Sequence, residues 1–348
     1  PMSDFDVSSQ VLYKDISRLI EEVKQKVATT VNTELSMLYW SIGKKIQTEI
    51  LKLEKAEYGE STITNLSLQL TKTYGRGWSE KQLRHCLRSA ETFGDEEKFY
   101  TLCRQLSWSH LRAMMYINDP LKRDFYIELS IHEHWSFRQL RERIDSQLFE
   151  RTAISRKPEE TIAADLEVLR LNKELSPDLS FRDPYLLDFL GLGDKYSEKD
   201  LESAILAELQ HFILELGHDF AFMERQKRIT IDHEDYYIDL LFYHRSLRCL
   251  VVIELKLGDF KAAYKGQMEL YLRYLEKYEM REGENLPVGL LLCSGKNNEH
   301  IELLQLNQGN IRVAEYITRT VPKEELLAKL HSSIELARQK ISYEADHD

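Results

Sequence analysis

The sequence has few cysteines and no long run of hydrophobic residues. Its four cysteines are scattered and form neither a CxxC pair nor a disulfide framework. No apolar run approaches the roughly 20 residues that a helix needs to span a bilayer. The amino terminus also lacks the basic start and apolar stretch of a secretory signal. We therefore expect a cytoplasmic protein that has no membrane partner and is not held together by disulfides.

An excess of positive charge is lacking too. The formal net charge of −11 argues against a protein that coats nucleic acid indiscriminately, although a local basic patch could still bind it. Residues 71–157 carry 16 Lys and Arg against 12 Asp and Glu, whereas residues 158–220 carry five against 15. This shift in composition predicts a helical domain over 11–151, an acidic linker over 152–180 and a second domain over 181–348.

The amino-terminal domain has the pattern of packed helices. Apolar residues recur at steps of three and four from Leu12 to Ile46, which predicts helices with one buried face. That face would pack in the domain core or form the interface of a homo-oligomer. Two similar segments, 78–84 and 135–141, each place Ser three residues before Gln, which is the pattern of a capping box. Each segment is therefore expected to begin a helix.

The helix that begins after Ser79 carries basic residues on one face. Lys81, Arg84 and Arg88 follow one another at steps of three and four. The helix is similar to the second helix of a helix-turn-helix, whose amino-terminal end enters the major groove of DNA. These three residues are our candidates for nucleic-acid binding. The alternative is a solvated basic face on a structural helix.

The second domain alternates helices with strands. This order predicts a mixed sheet flanked by helices. The expected elements are a helix over 198–216, strands over 220–229, 236–243 and 249–256, a helix over 260–278, a buried strand over 288–293, a short helix over 299–306, a strand over 311–317 and a closing helix over 323–343.

Ionisable residues interrupt the two central strands, which are predicted to form a hairpin. Asp239 lies in the first strand, and Glu254 and Lys256 project from one face of the second. Placing charges on a central strand is costly, which indicates a function. Two carboxylates, water and a backbone carbonyl such as that of Leu255 would suit Mg²⁺ or Mn²⁺. Lys256 would hold or deprotonate the attacking water, or stabilise charge on a phosphate. The alternative is an ordinary salt-bridged pair of strands.

The following helix adds two residues to this group. Gln267 and Tyr271 lie one turn apart, so both can face the same cleft. With Ile238-Asp239 and the segment 253–256, this arrangement resembles the PD-(D/E)xK nuclease superfamily, although Ile238 replaces the signature proline. Segments 220–226, 237–244 and 254–258 resemble the bacterial YhcG-type proteins, which join a helical domain thought to bind DNA to such a nuclease domain.

The resemblance implies a restriction-endonuclease-like fold and Mg²⁺-dependent hydrolysis of DNA, in DNA processing or in defence against foreign DNA. It makes Asp239 and Glu254 metal ligands and Lys256 the catalytic lysine. Gln267 and Tyr271 would shape the site or contact the nucleic-acid backbone. One such site per chain cuts one strand, so a homo-oligomer or partner is expected. The alternative function is a DNA-binding or scaffold protein whose nuclease fold is inactive or conditionally active.

The superfamily often adds an acidic residue from the first helix of the nuclease domain. Glu202 and Glu208 are the two candidates. Glu208 flanks the apolar stripe of this helix, whereas Glu202 lies near the helix start, where an acid is favoured by the helix dipole. We therefore expect Glu208 to be the third metal ligand, with Glu202 as the alternative.

Overall fold

The computed structural model divides the chain into two compact units, Pro1–Arg141 and Glu142–Asp348. The residues that it describes are 10, 12–20, 31–52, 56–156, 159–173, 175–295, 301, 303–304, 306, 309–322, 324–325, 327–328 and 331.

Every regular element described in the first unit is helical. After helical residues 12–20 come α1 (Val31–Lys52), α2 (Ala56–Tyr74), α3 (Glu80–Thr92), α4 (Glu96–Cys103), α5 (Trp108–Met114) and α6 (Pro120–His132), and α7 (Phe137–Asp145) crosses into the second unit.

The core of the first unit is formed by the apolar face predicted from the sequence. Leu12, Ile16 and Ile20 are buried together with aliphatic residues of α1, α2 and α3. Helices α1 and α3 approach closely at Gly43, where a Cβ atom would lie 1.9 Å from the carbonyl oxygen of Cys86. Because a glycine hydrogen is all that fits between the two backbones, this crossing depends on that residue.

Both predicted helix starts are present. The Ser79 hydroxyl accepts a hydrogen bond from the backbone N–H of Gln82 at 3.3 Å, at the first turn of α3. At the start of α7, Ser136 and Gln139 form two hydrogen bonds with each other. The Gln139 N–H donates to the Ser136 hydroxyl at 3.3 Å, and the Ser136 N–H donates to the Gln139 side chain at 2.8 Å. These bonds satisfy amide groups that have no partner inside the helix.

The segment expected to be an acidic linker is largely helical. It contains the end of α8 (Leu148–Arg156), α9 (Glu159–Asn172) and α10 (Pro177–Ser180). Buried Arg151 of α8 donates hydrogen bonds to the carboxylate of Glu215 and to the carbonyl of Pro184. These contacts hold α8 against the rest of the second unit, which begins at Glu142.

The second unit is built on a mixed sheet, which has six strands among the described residues. They are β1 (Tyr185–Leu186), β2 (Phe220–Ile231), β3 (Glu234–His244), β4 (Cys249–Asp259), β5 (Val288–Gly295) and β6 (Ile311–Ile317). Their order in the sheet is β1-β6-β5-β4-β3-β2. Strands β2, β3 and β4 are antiparallel, whereas β4, β5, β6 and β1 are parallel. The short edge strand β1 was not expected from the sequence.

Helices cover both faces of this sheet, as the sequence predicts. Helices α11 (Glu198–Ala207) and α12 (Leu209–Leu216) pack on one face, and α13 (Ala262–Tyr278) packs on the other. The single helix expected over 198–216 is broken at Glu208, whose φ and ψ of −108° and 32° are not helical. The short helix expected over 299–306 lies partly outside the described residues, and the closing helix expected over 323–343 lies largely outside them.

Candidate active site

Two carboxylates meet where the antiparallel ladder between β3 and β4 ends. The pairing of these strands ends at Leu240 opposite Ile253, and Asp239 and Glu254 come next. The N–H of Asp239 donates to Glu254 Oε1 at 3.1 Å, and the N–H of Leu255 donates to Asp239 Oδ2 at 3.0 Å. Side-chain oxygens therefore accept bonds from the backbone of the opposite strand, which fixes both carboxylates in place.

Burial perturbs both acids, and the charge of Asp239 adds to its effect at Glu254. Glu254 is 2% exposed. Its burial and the neighbouring charge of Asp239 raise the pKa of Glu254 to about 7. Burial also raises the pKa of Asp239 above its ordinary value. The site therefore holds negative charge that is poorly compensated, which is typical of functional carboxylates.

Lys256 lies on the same side of β4 as Glu254, as the alternation along the strand predicts. Its Nζ is 3.1 Å from Glu254 Oε2 and 5.5 Å from the ring centroid of Tyr264. Burial alone would lower the pKa of Lys256, but the carboxylates of Glu254 and Asp239 raise it above its ordinary value. In this state Lys256 is an ammonium group, so it can donate a hydrogen bond or stabilise negative charge.

Gln267 and Tyr271 are brought together on α13. The Gln267 amide donates to the Tyr271 hydroxyl at 2.6 Å, and that hydroxyl donates to the carbonyl of Tyr237 at 3.3 Å. Tyr271 is buried, so it supports β3 two residues before Asp239. Gln267 remains half-buried, so its side chain is the more accessible of the two.

The structure places Glu202, and not the expected Glu208, beside the carboxylates. Glu202 is 8% exposed and accepts a hydrogen bond from Gln226 at 2.7 Å, and the same amide nitrogen donates to Asp239 at 3.1 Å. Glu208 lies at the helix break, is 44% exposed and pairs with His211 at 2.7 Å. The break ends α11 before Glu208 and so separates it from the face that carries Glu202.

Sequence reasoning missed two residues at this site. Gln226 bridges two of the acids, and Glu198 accepts a hydrogen bond from the backbone N–H of Leu257 at 3.1 Å. The four-residue step from Glu198 to Glu202 is a signal that both face the sheet from α11. Gln226 gives no comparable signal, because its place opposite Asp239 depends on the register of β2 and β3.

The donors at the site suit a divalent cation of the Mg²⁺ type. Asp239 and Glu254 supply hard carboxylate oxygens, and burial together with the charge of Asp239 disfavours the ionised form of Glu254 unless a further cation is bound. Across the described ranges, no three His, Cys, Asp or Glu side chains converge closely enough to hold a metal. A cation held by these two acids would therefore complete its ligand shell with water or backbone oxygens.

The candidate nucleic-acid-binding residues of the first unit have different surroundings. Lys81 and Arg84 are exposed on α3. Arg88 instead donates to the carbonyl of Met115 at 3.1 Å and to the side chain of Asn118 at 2.7 Å. Its guanidinium therefore fixes the connection between α5 and α6, which gives it a structural task.

Comparison with known proteins identifies both parts of the chain. The model of the YhcG PDDEXK nuclease domain matches residues 178–331, and that of the DUF1016 N-terminal domain matches residues 15–151. The Escherichia coli (strain K12) protein named "Putative nuclease YhcG" is 32% identical in an alignment that covers 92% of each chain. The chain belongs to the YhcG family. It therefore carries a nuclease domain of the restriction-endonuclease-like fold, joined to a helical amino-terminal domain.

A comparison of solved structures gives a much weaker likeness for this YhcG-family chain. The crystal structure of a repair endonuclease from Pyrococcus abyssi aligns with 21% identity and a TM-score of 0.24, over 37% of this chain and 50% of that one. An overlap of this size supports no conclusion.

No helix within the described segments has the length and apolarity to cross a membrane.

Proposed function

We propose that this YhcG-family chain hydrolyses phosphodiester bonds of DNA with Mg²⁺ or Mn²⁺ as cofactor. One observation carries the proposal. Buried Glu254, half-buried Asp239 and the protonated Lys256 lie together where β3 and β4 separate. The family supports a nuclease, and the donor set supports a hard divalent cation.

Each residue of the site has a distinct task in this proposal. Asp239 and Glu254 would hold the cation, and Glu202 replaces Glu208 as the acid contributed by the helix. A bound divalent cation supplies a Lewis acid that activates water and offsets charge on the phosphate. Lys256 orients the attacking water or stabilises charge that develops on the phosphate, because its raised pKa keeps it protonated at neutral pH.

The surrounding residues bind the substrate in the proposed function. Gln267 is accessible enough to contact the nucleic-acid backbone, while buried Tyr271 holds Gln267 and β3 in place. In the amino-terminal domain, proposed to span 11–151, exposed Lys81 and Arg84 would contact DNA phosphates. Such a cytoplasmic nuclease would serve DNA processing or defence against foreign DNA, and a homo-oligomer would cut both strands.

Cleavage assays on the full chain test the activity. Supercoiled, linear and branched DNA, and RNA of matching sequence, are incubated with Mg²⁺, Mn²⁺ or EDTA. We expect cation-dependent cutting of DNA that Asp239→Ala and Lys256→Ala both abolish and that Glu208→Gln leaves near the parent rate. Cation-dependent cutting that survives both alanine variants would refute the site. Tight DNA binding without cutting would favour an inactive or conditionally active scaffold.

DNA binding by the amino-terminal domain is tested separately. Replacing Lys81 and Arg84 with Ala should weaken binding uniformly across DNA sequences and reduce the slope of log affinity against log salt by about two, one for each lost phosphate contact. Arg88→Ala serves as the comparison, because its contacts predict a loss of stability. If affinity and salt slope are unchanged in the double variant, α3 is a structural helix whose basic face is solvated.

A further inference from the structure

Gln226 occupies a strained position in β2, directly across from Asp239. The pairs Arg225–Leu240 and Lys227–Ile238 flank these two residues in the register. The φ of Gln226 is 45°, a left-handed conformation within a strand at a residue that is not glycine. Such a backbone is strained and persists where neighbouring contacts enforce it. A β-bulge lies just before it, between Phe222 and Glu224.

The side chain of Gln226 joins two acids that come from different elements. Its Nε2 donates to Glu202 Oε2 of α11 at 2.7 Å and to Asp239 Oδ1 of β3 at 3.1 Å. Because both neighbours accept hydrogen bonds, the nitrogen end of the amide must face them. The other oxygen of Asp239 accepts from the N–H of Leu255, so both oxygens of this carboxylate are fixed.

An amide is well suited to this position because it donates two hydrogen bonds and carries no charge. A lysine or arginine here would neutralise the acids and compete with a cation, whereas a glutamate would repel them. Arg225, the next residue along β2, lies 3.6 Å from the other oxygen of Glu202 and is 58% exposed at its side chain. Its charge is therefore screened by solvent and leaves the acids of the site largely uncompensated.

We propose that Gln226 is a positioning residue, which holds Asp239 and Glu202 at a fixed separation and orientation so that Asp239 is preorganised to bind the divalent cation. The inference rests on the proposed function, because it assigns Gln226 to the cation site. The strained backbone of Gln226 is the conformation that directs its amide between the two acids. Groups that orient metal ligands typically change metal affinity or activity by about 10–100-fold when they are removed.

Calorimetric titration of the full chain with Mn²⁺, in the absence of nucleic acid, tests the role of Gln226. Gln226→Met keeps the length of the side chain and removes its donors, and it should weaken Mn²⁺ binding by about tenfold or more. Gln226→Asn keeps the amide but is one methylene shorter, so it reaches at most one acid and should give an intermediate affinity. Gln210→Met is the matched control. It makes the same exchange at an exposed position of α12, so the Mn²⁺ affinity should equal that of the parent.

Thermal melting without metal shows which variants are folded. If Gln226→Met is not folded, the Mn²⁺ affinity of Gln226→Asn tests the proposal. A folded variant of Gln226 whose Mn²⁺ affinity stays within about twofold of the parent overturns the positioning role. The proposed function is not affected by that outcome if the parent binds Mn²⁺ in the titration and cuts DNA in the cleavage assay. A parent that neither binds Mn²⁺ nor cuts DNA overturns the proposed function and this inference together.

Discussion

Replacing Glu254 with Gln should change how the stability of the metal-free protein depends on pH. In the folded protein, burial and Asp239 raise the pKa of Glu254 from 4.5 to about 7. Because the folded pKa is the higher one, folding favours the protonated acid. Its contribution to stability is complete below pH 4.5 and is lost as the pH rises through 7. The Glu254→Gln variant has no such group, since an amide does not titrate.

The size of this effect follows from the shift in pKa. A difference of about 2.5 pH units, at about 1.4 kcal/mol for each unit, corresponds to about 3 kcal/mol. Between pH 4.5 and 8 the parent should therefore lose about 3 kcal/mol of unfolding free energy relative to Glu254→Gln. Lys256 stays protonated throughout this range, because its pKa is raised above its ordinary value.

Urea unfolding in EDTA, measured for both proteins at intervals from pH 4.5 to 8, provides the data. Subtracting one curve from the other removes the titrations that the two proteins share. Saturating Mn²⁺ should restore stability to the parent at pH 8, since a cation offsets the charge on Glu254. Parallel curves in EDTA would show that Glu254 ionises at its ordinary pKa, and they would refute the electrostatic description of the site.

Two further predictions concern the cores of the two units. Gly43→Ala should cost about 3 kcal/mol in a denaturant titration, because the new Cβ meets the backbone of Cys86. Gly94→Ala, where a Cβ meets nothing within 4 Å, is its control, and equal losses would contradict the close helix crossing. Glu215→Gln should cost about 3–5 kcal/mol, because it leaves buried Arg151 without its counter-charge. A loss below about 1 kcal/mol would contradict that pairing.

Local patterns in the sequence predict much of the second unit. The order of helices and strands gives a mixed sheet covered on both faces, and the structure confirms it. The group formed by Asp239, Glu254 and Lys256 is predictable because a short hairpin connects its strands and because side chains alternate along β4. Gln267 and Tyr271 follow from the spacing of one helical turn.

The remaining residues of the site depend on long-range geometry that periodicity does not report. The preference for Glu208 assumed one continuous helix, whereas a break at Glu208 leaves Glu202 on the face toward the sheet. The contact of Gln226 with Asp239 depends on the register of β2, which contains a bulge, and on the left-handed backbone conformation of Gln226. Arg88 shares a helix face with Lys81, yet the α5–α6 connection binds its guanidinium.

Two buried glutamates of the second unit show how structural acids differ from the acids of the site. Burial alone would raise the pKa of Glu215, but Arg151, Arg182 and Arg143 hold it below its ordinary value. Lys256 pairs with Glu254 and also interacts with the carboxylate of Asp239, and the pKa of Glu254 still rises to about 7. A carboxylate that only stabilises the fold is best fully paired, as Glu215 is. The positive charge around Glu254 does not fully balance the two carboxylates of the site. A divalent cation bound there would provide the missing positive charge.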